Sequence, residues 1–520
     1  MKTYSLFLIA FVFGGTLLAQ NQIPLISNLD ASFSFENNRL TVVYDVSDME
    51  NDSLNVRLLL SEDEGLTFRN ITAEAIGEVG FPVLVGNQKA IYWDAPQPIF
   101  IAMHRVKVVV DDRVPVDIQA IVDQVDSVRL RQDLTYFAQS RHRSNQLPLL
   151  QQIQDSIDNR LAAYGLLTSR QEELYQNYQA VNLIGQQSGV EDEQEVYIID
   201  AHYDGVPNTP GADDNATGTV GVLETARVLS PYLSEKSIRY LAFDLEEDGL
   251  LGSFAYVNNG GLPATDNVLG VLNLEMIGYY DTDPNTQTFP TGFNLLFPNA
   301  YNAVAADGFR GNFVTNVANQ ASSSLMDAYE NAANQYVPDL KVISVAVPGN
   351  GQIAPDLRRS DHSIFWDAGI PALMLTDASE FRNPYYHTVN DTIGNLNMTF
   401  LSRVVQASVA TLAQNAGLIH GSAEVSTIQM QATSIEPFGD GCKVFDWVDP
   451  LSKELYIQTD CEISQSQVRL FELQGRAVLK AELSTFGERQ NFSLAGLPQG
   501  IYVLSVESSE GAYRKKILLR

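Results

Sequence analysis

A chain of 520 residues, 45% hydrophobic and 18% charged, carries enough apolar material for about three cored domains, which excludes wholesale disorder. Lys+Arg number 33 against 63 Asp+Glu, a net charge of −30 that repels phosphate backbones and argues against a nucleic-acid partner; the acidity reads as a solvated surface. Two cysteines are too few for a disulfide scaffold.

Residues 1–19, MKTYSLFLIAFVFGGTLLA, set one Lys ahead of an apolar run from Leu6 to Leu18 and end on the small residue Ala19. The run is shorter than the roughly 20 residues a spanning helix needs, so it reads as a secretory signal peptide cleaved near Ala19 and not as an anchor. No later stretch is long and apolar enough to span a bilayer. The expected product is secreted or held at the cell surface. In an oxidising compartment Cys442 and Cys461 have the option of pairing.

Residues 20–112 read as a small β-sandwich. Leu40–Val46 and Leu54–Leu60 are strand-like runs separated by the turn-rich segment 47–53, and Arg105–Val110 closes the segment. The module resembles the immunoglobulin-like or fibronectin-like domains that precede secreted bacterial enzymes. Its Asp and Asn turn residues offer oxygen to calcium, but ordinary turn chemistry accounts for them.

Residues 113–420 change character. A helix is expected from Leu149 to Tyr164, with Pro148 just ahead of it. Apolar strand runs and helices then alternate: strand 196–199, helix 216–229, strands 238–243, 268–274, 342–347 and 372–375, and a final helix 399–412. This is the pattern of an α/β domain with a mostly parallel central sheet flanked by helices. Residues 421–520 return to β character and are expected to form a linker and a second small β-sandwich.

Open α/β sheets bind ligands at the carboxyl ends of their strands. Strand 196–199 runs into Asp200-Ala201-His202-Tyr203-Asp204, strand 238–243 into Asp244-Leu245-Glu246-Glu247, and strand 268–274 into Glu275. The loop after the first strand adds Asp213-Asp214, and a later loop carries Tyr386-His387. Zinc takes imidazole nitrogen and carboxylate oxygen, and a pair of zinc ions needs two terminal His, further carboxylates and a bridging one. His202, His387, Asp214, Glu247 and Glu275 supply that set, and the adjacent Glu246 leaves a carboxylate free to take a proton. Each residue alone has a plainer reading: a polar strand end, a solvated Glu-Glu pair, a helix N-cap. Their conjunction at one sheet edge points to a metal site.

The segments HYDGVPNTPGADDNATG (202–218), AFDLEEDGLLGS (242–253), LNLEMIGY (272–279), SDHSIFWDAGIPALMLTD (360–377) and YYHTVNDT (385–392) resemble the secreted di-zinc aminopeptidases of peptidase family M28, the bacterial leucyl aminopeptidase type. That family also holds glutamate carboxypeptidases and glutaminyl cyclases. The resemblance covers roughly residues 125–415. It implies a zinc-exopeptidase fold with two Zn2+ per chain, bound through His202, Asp214 as the bridge, Glu247, Glu275 and His387. It implies Glu246 as the general base acting on a metal-bridging water. Asp204 would orient His202 from behind, and Tyr386 would support the oxyanion. The expected activity is aminopeptidase hydrolysis of peptide or protein substrates. One position departs from the pattern: the family's aminopeptidases usually carry Asp where this chain has Glu275, and Glu there accompanies carboxypeptidase action in a related dinuclear family. A carboxypeptidase, dipeptidase or glutaminyl cyclase is therefore the alternative. A non-enzymatic surface-binding protein on a peptidase scaffold is a more distant one. Asp213 and His362 are expected to be structural, and His104, His142 and His420 are given no role.

The C-terminal LFELQGR turn, the LAGLPQGIYVLSV stretch and the basic end RKKILLR resemble the sorting domains of the type nine (type IX) secretion system. That resemblance implies export across two membranes with the outer-membrane secretion machinery as partner.

Overall fold

The computed structural model describes residues 21–34, 37–96, 99, 103–175, 178–430, 444–449, 453–459, 461–472, 475–487, 489–509 and 511–519. The signal-peptide segment 1–19 and Cys442 lie outside these residues. Cys461 is disulfide-bonded.

The N-terminal module forms because its strands alternate. In Arg39–Ser47, Leu40, Val42, Tyr44 and Val46 point inward while their neighbours meet solvent. Eight strands follow one hydrogen-bonded path, with a ninth, Gly80–Val83, paired off it to Leu54–Ser61, around a core that includes Phe33, Tyr44, Leu58, Trp93 and Val108. One of these strands comes from the far side of the central domain. Gly421–Met430 lies between Arg105–Asp111, which it pairs antiparallel, and Leu25–Ser34, which it pairs parallel. The structure differs from the expected linker at the start of 421–520: residues 421–430 are a strand of the N-terminal sandwich. The central domain is an insertion between two neighbouring strands of the sandwich. The reason is that pairing across three hundred residues leaves no local mark: GSAEVSTIQM reads as a strand for any sheet.

The central sheet has eight strands, ordered Val342–Val347, Val314–Asn319, Ala372–Thr376, Asn267–Glu275, Asp192–His202, Lys236–Phe243, Tyr178–Gln187 and Leu167–Tyr175. The four in the middle run parallel, and antiparallel pairings join the outer strands to them. Both faces are covered, which is why these strands read as continuous apolar runs. Ile199 and Leu272 face a core shared with helices Gly218–Leu229 and Met398–Asn415. Ile198 and Val271 face a second core shared with helices Leu251–Asn258 and His362–Asp367. The early helix spans Arg143–Ala163, with a kink at Gln146 and Pro148 inside it.

The sandwich sits against the starting ends of these strands. Arg57 pairs with Asp111 and with Glu191, Phe68 N donates to Glu193, and Asn70 donates to Val190 O. Leu59, Phe68, Val109, Val190 and Ile419 close a small apolar cluster there. Because Val190–Glu193 lie at the start of the strand and His202 ends it, the sandwich packs at the end opposite the candidate site.

After residue 443 a three-stranded and a four-stranded sheet share a core of Leu455, Ile457, Val468, Leu470, Leu504 and Ile517. Among the described residues, no helix is long and apolar enough to cross a membrane.

Candidate metal centre

Each ligand candidate stands where a strand or helix breaks. His202 and Glu275 are the last residues of strands Asp192–His202 and Asn267–Glu275, two neighbours in the sheet. Glu246 and Glu247 follow strand Lys236–Phe243, and Asp214 stands in the turn before helix Gly218–Leu229. The chain must turn sharply at these ends. Leu245, Met276 and His387 all take left-handed backbone angles, φ of 56°, 51° and 54°, and such angles in residues other than Gly concentrate at sites held by their surroundings. Gly218 has to be Gly: a Cβ there would lie 2.4 Å from Leu274 O.

Asp214 faces two ways. Its Oδ1 lies 3.4 Å from His202 Nε2, and its Oδ2 lies 3.0 Å from His387 Nε2. Glu275 Oε2 is 3.4 Å from the His202 nitrogen, and Glu247 Oε2 is 3.3 Å from the His387 nitrogen. The side chains thus form two cation-sized clusters, His202–Asp214–Glu275 and Asp214–Glu247–His387, which share Asp214. A third grouping joins His202, Glu246 and Glu247, with Glu246 at 3.9 Å from the His202 ring. His202 is fully buried, whereas His387 stands at the mouth with 37% of its side chain exposed.

The electrostatics of the metal-free protein call for cations. Burial opposes a charged His202, but Glu246, Glu275, Asp204 and Asp214 together hold its proton affinity well above the ordinary imidazole range. For His387, burial also opposes charge, yet its contacts with Asp214 and Glu247 raise it to about 10. Burial and then Asp214 lift Glu247 to about 7. Burial lifts Glu246 well above the carboxylate range, with Glu275 and Glu247 adding to it against the pull of His202. Asp214 is driven down despite its burial because it accepts from both imidazoles. Protons here sit where divalent charge would sit, on nitrogen and oxygen donors that suit zinc.

Behind the donors lies a scaffold of hydrogen bonds. Asp204 lies 3.3 Å from His202 Nδ1, and its two oxygens accept from the amides of Glu246 and Glu247. Asp391 accepts from the amides of Asp213 and Asp214. Ser360 donates to Glu275 Oε2 at 2.8 Å. Asn215 accepts from Gly218 N and Met276 N and donates to Leu274 O, tying the bridge turn to the Glu275 strand. Asp391, Ser360 and Asn215 lie inside the quoted motifs, but a residue whose partners are distant backbone groups or one distant carboxylate carries no local signal of that service.

Asp213 points away from the clusters, accepting from Gly278 N and Asn383 Nδ2. His362 packs edge-on against Trp366 with Nε2 3.0 Å from Leu357 O, and burial drives its proton affinity down to about 3. It is a neutral structural side chain. His420 pairs with Asp112 at the sandwich boundary, and His142 caps the helix that starts at Arg143. Tyr386 stacks on His387, receives a hydrogen bond from Arg359 at 3.0 Å, and is held protonated by burial and then Asp214.

The carboxylates Asp214, Glu246, Glu247 and Glu275 line a cleft together with Phe289, Phe313, Ile343, Val345 and Met374, with Arg359 and Tyr386 also in the wall.

Residues 182–412 match Peptidase family M28. Those residues form a domain that resembles this family. Residues 449–520 match the secretion system C-terminal sorting domain. The chain is 33% identical over 229 residues to the uncharacterized protein YfbL of Escherichia coli strain K12, covering 41% of this chain and 65% of that protein. It is 45% identical over 84 residues to aminopeptidase YwaD of Bacillus subtilis strain 168, 16% of this chain and 18% of that one. The solved structure of BSAP, a zinc aminopeptidase from Bacillus subtilis, is 26% identical with a TM-score of 0.35, covering 47% of this chain and 52% of that chain. The chain thus spans less than two thirds of the length of these curated relatives.

Proposed function

We propose that the protein is an exported zinc exopeptidase that removes residues from the amino end of peptides, and that it is led out of the cell by an N-terminal signal peptide and its sorting domain. The observation that carries the reading is the two-sided Asp214, flanked by one imidazole and one glutamate on each side. His202, Asp214, Glu247, Glu275 and His387 would hold two zinc ions, and the donor set fits them. Zinc bound there would lower the pKa of water and polarise the scissile carbonyl.

The chain's own groups do the rest. Glu246 takes the proton of the attacking water and hands it to the leaving amine. The Tyr386 hydroxyl, kept protonated and approached by Arg359, donates to the developing oxyanion. Asp204 keeps His202 in the tautomer that presents Nε2 and holds the amides of both glutamates. The apolar wall of Phe289, Phe313, Ile343, Val345 and Met374 would receive a large apolar side chain at the scissile residue.

Digestion of a peptide library, read by mass spectrometry with and without a chelator, tests this reading. The expected result is stepwise loss of large apolar amino-terminal residues that stops with chelator and returns with zinc. Cleavage inside chains, or cleavage indifferent to chelator, contradicts it.

Glu275, together with the Arg359 guanidinium in the cleft wall, favours a second reading as a carboxypeptidase, since an arginine there is able to receive a terminal carboxylate. Peptides blocked at the amine separate the two: their cleavage supports the carboxypeptidase.

A further inference from the structure

Arg141 belongs to none of the motifs and lies in the loop between helices Ser127–Phe137 and Arg143–Ala163, yet it is 1% exposed. A buried guanidinium ordinarily takes a carboxylate partner. This one instead gives all six of its hydrogen bonds to backbone carbonyls. Nε donates to Tyr203 O at 2.7 Å. Nη1 donates to Pro210 O at 2.8 Å and to Phe137 O and Gln139 O at 3.2 and 3.3 Å. Nη2 donates to Gly211 O at 2.9 Å and Asp214 O at 3.3 Å. Four of these carbonyls belong to the stretch running from His202 to the bridge. Burial works against its charge, and Asp214, Asp391, Asp204 and Glu247 work to keep it. The turn is built to admit it. Gly211 has φ of 56°, and a Cβ there would lie 3.0 Å from Arg141 Nη1 and 2.3 Å from Asp214 O.

Resting on the metal-centre reading above, we infer that Arg141 is a positioning residue of that centre: its planar fork fixes the 210–214 turn, and with it the two-sided presentation of Asp214. The two halves of the centre depend on this unequally. His202 and Glu275 are carried by neighbouring strands, and each has a further support besides Asp214, Asp204 beside the His202 ring and Ser360 donating to Glu275. His387 sits on a loop in a left-handed conformation, half exposed, and the ion pairs that its ring makes are those with Asp214 and Glu247. Displacing Asp214 therefore releases the His387 half first.

The test uses the full chain, stripped by chelator and titrated with zinc against a competing dye. It compares wild type with Arg141→Gln and Arg141→Lys. Cobalt replaces zinc in a parallel titration, so that the absorption spectrum reports the geometry of each half. Loss of a group that orients metal ligands typically weakens binding about 10–100-fold. The weaker site is expected to lose about that much in Arg141→Gln, with an altered cobalt spectrum, while the tighter site changes less than about threefold. Arg141→Lys, which keeps the charge without the fork, is expected to fall between. Variants that fold like wild type when metal-free and bind both ions like wild type would overturn the inference. So would equal weakening of both sites in step with a lower metal-free melting temperature, or failure of both variants to fold; each makes the residue purely structural. A wild-type chain that binds fewer than two ions is a different failure, since it removes the metal-centre reading itself.

Discussion

Two adjacent glutamates, held through their amides by one buried aspartate, are asked to do different work. Glu247 lies 3.3 Å from His387, whereas Glu246 stands 3.9 Å from His202 and is the longest of the contacts to that ring. Glu246→Ala is expected to fold, retain zinc and lose about 10²–10⁴-fold in peptidase turnover, as loss of a general base does. Turnover near wild type in that variant would remove the role. His202→Ala and His387→Ala should instead lose zinc, measurable by metal analysis of the purified protein. The protons now held on the donors give a second expectation. With His387 raised to about 10 in the metal-free protein, its ring is protonated at neutral pH and must give up that proton to bind a cation. Zinc uptake should therefore release protons into a weakly buffered indicator solution, and zinc affinity should rise with pH up to about 10. Uptake without proton release would contradict the charge state described. Most of the donors are legible in the sequence because they stand where apolar strands break into charged residues. Arg141, Asp391 and Ser360 are not, because their partners are backbone carbonyls and amides, or one distant carboxylate, that no local pattern announces.

At the scale of the element, three strands at one end of the central sheet make the wall of the cleft. Phe313 just precedes strand Val314–Asn319, Ile343 and Val345 come from Val342–Val347, and Met374 from Ala372–Thr376. Val345→Trp would fill that space. Its kcat/KM for peptides beginning with Phe or Leu should drop about 10–100-fold, the scale on which an apolar pocket discriminates, while peptides beginning with Ala stay within about threefold. Equal loss on both classes would show that the wall does not contact the scissile residue. The buried central strands are legible from their unbroken apolar runs. The edge hairpin Leu167–Tyr175 and Tyr178–Gln187 is not: the first of these strands, LTSRQEELY, has no buried residue, as befits a strand with solvent on one side. Val314–Asn319 escapes the same pattern because its two asparagines interrupt the apolar signal, although both are buried.

At the scale of the whole molecule, the sandwich encloses the peptidase domain in the chain, since residues 105–111 and 421–427 pair across the insertion. A chain ending at residue 420 lacks the strand that joins Arg105–Asp111 to Leu25–Ser34 and exposes both edges, whereas a chain ending at 430 keeps it. The shorter chain should aggregate or melt at least about 5 °C lower than the longer one, the shift expected for a loss of a few kcal/mol. Equal melting would show that the strand adds nothing to the sandwich. The sandwich packs against the strand starts, so it does not shape the cleft, and the sorting domain follows it as a separate cored body. The catalytic reading rests on the strand ends and their adjoining loops, where His202, Glu247, Glu275 and His387, from four separate breaks in the chain, meet around Asp214. Anomalous diffraction at the zinc edge, from crystals of the zinc-loaded full chain, tests that meeting most directly. Two peaks about 3.5–4 Å apart are predicted, one against His202 and Glu275, the other against Glu247 and His387, with Asp214 touching both. A single peak, or zinc bound away from Asp214, would contradict it.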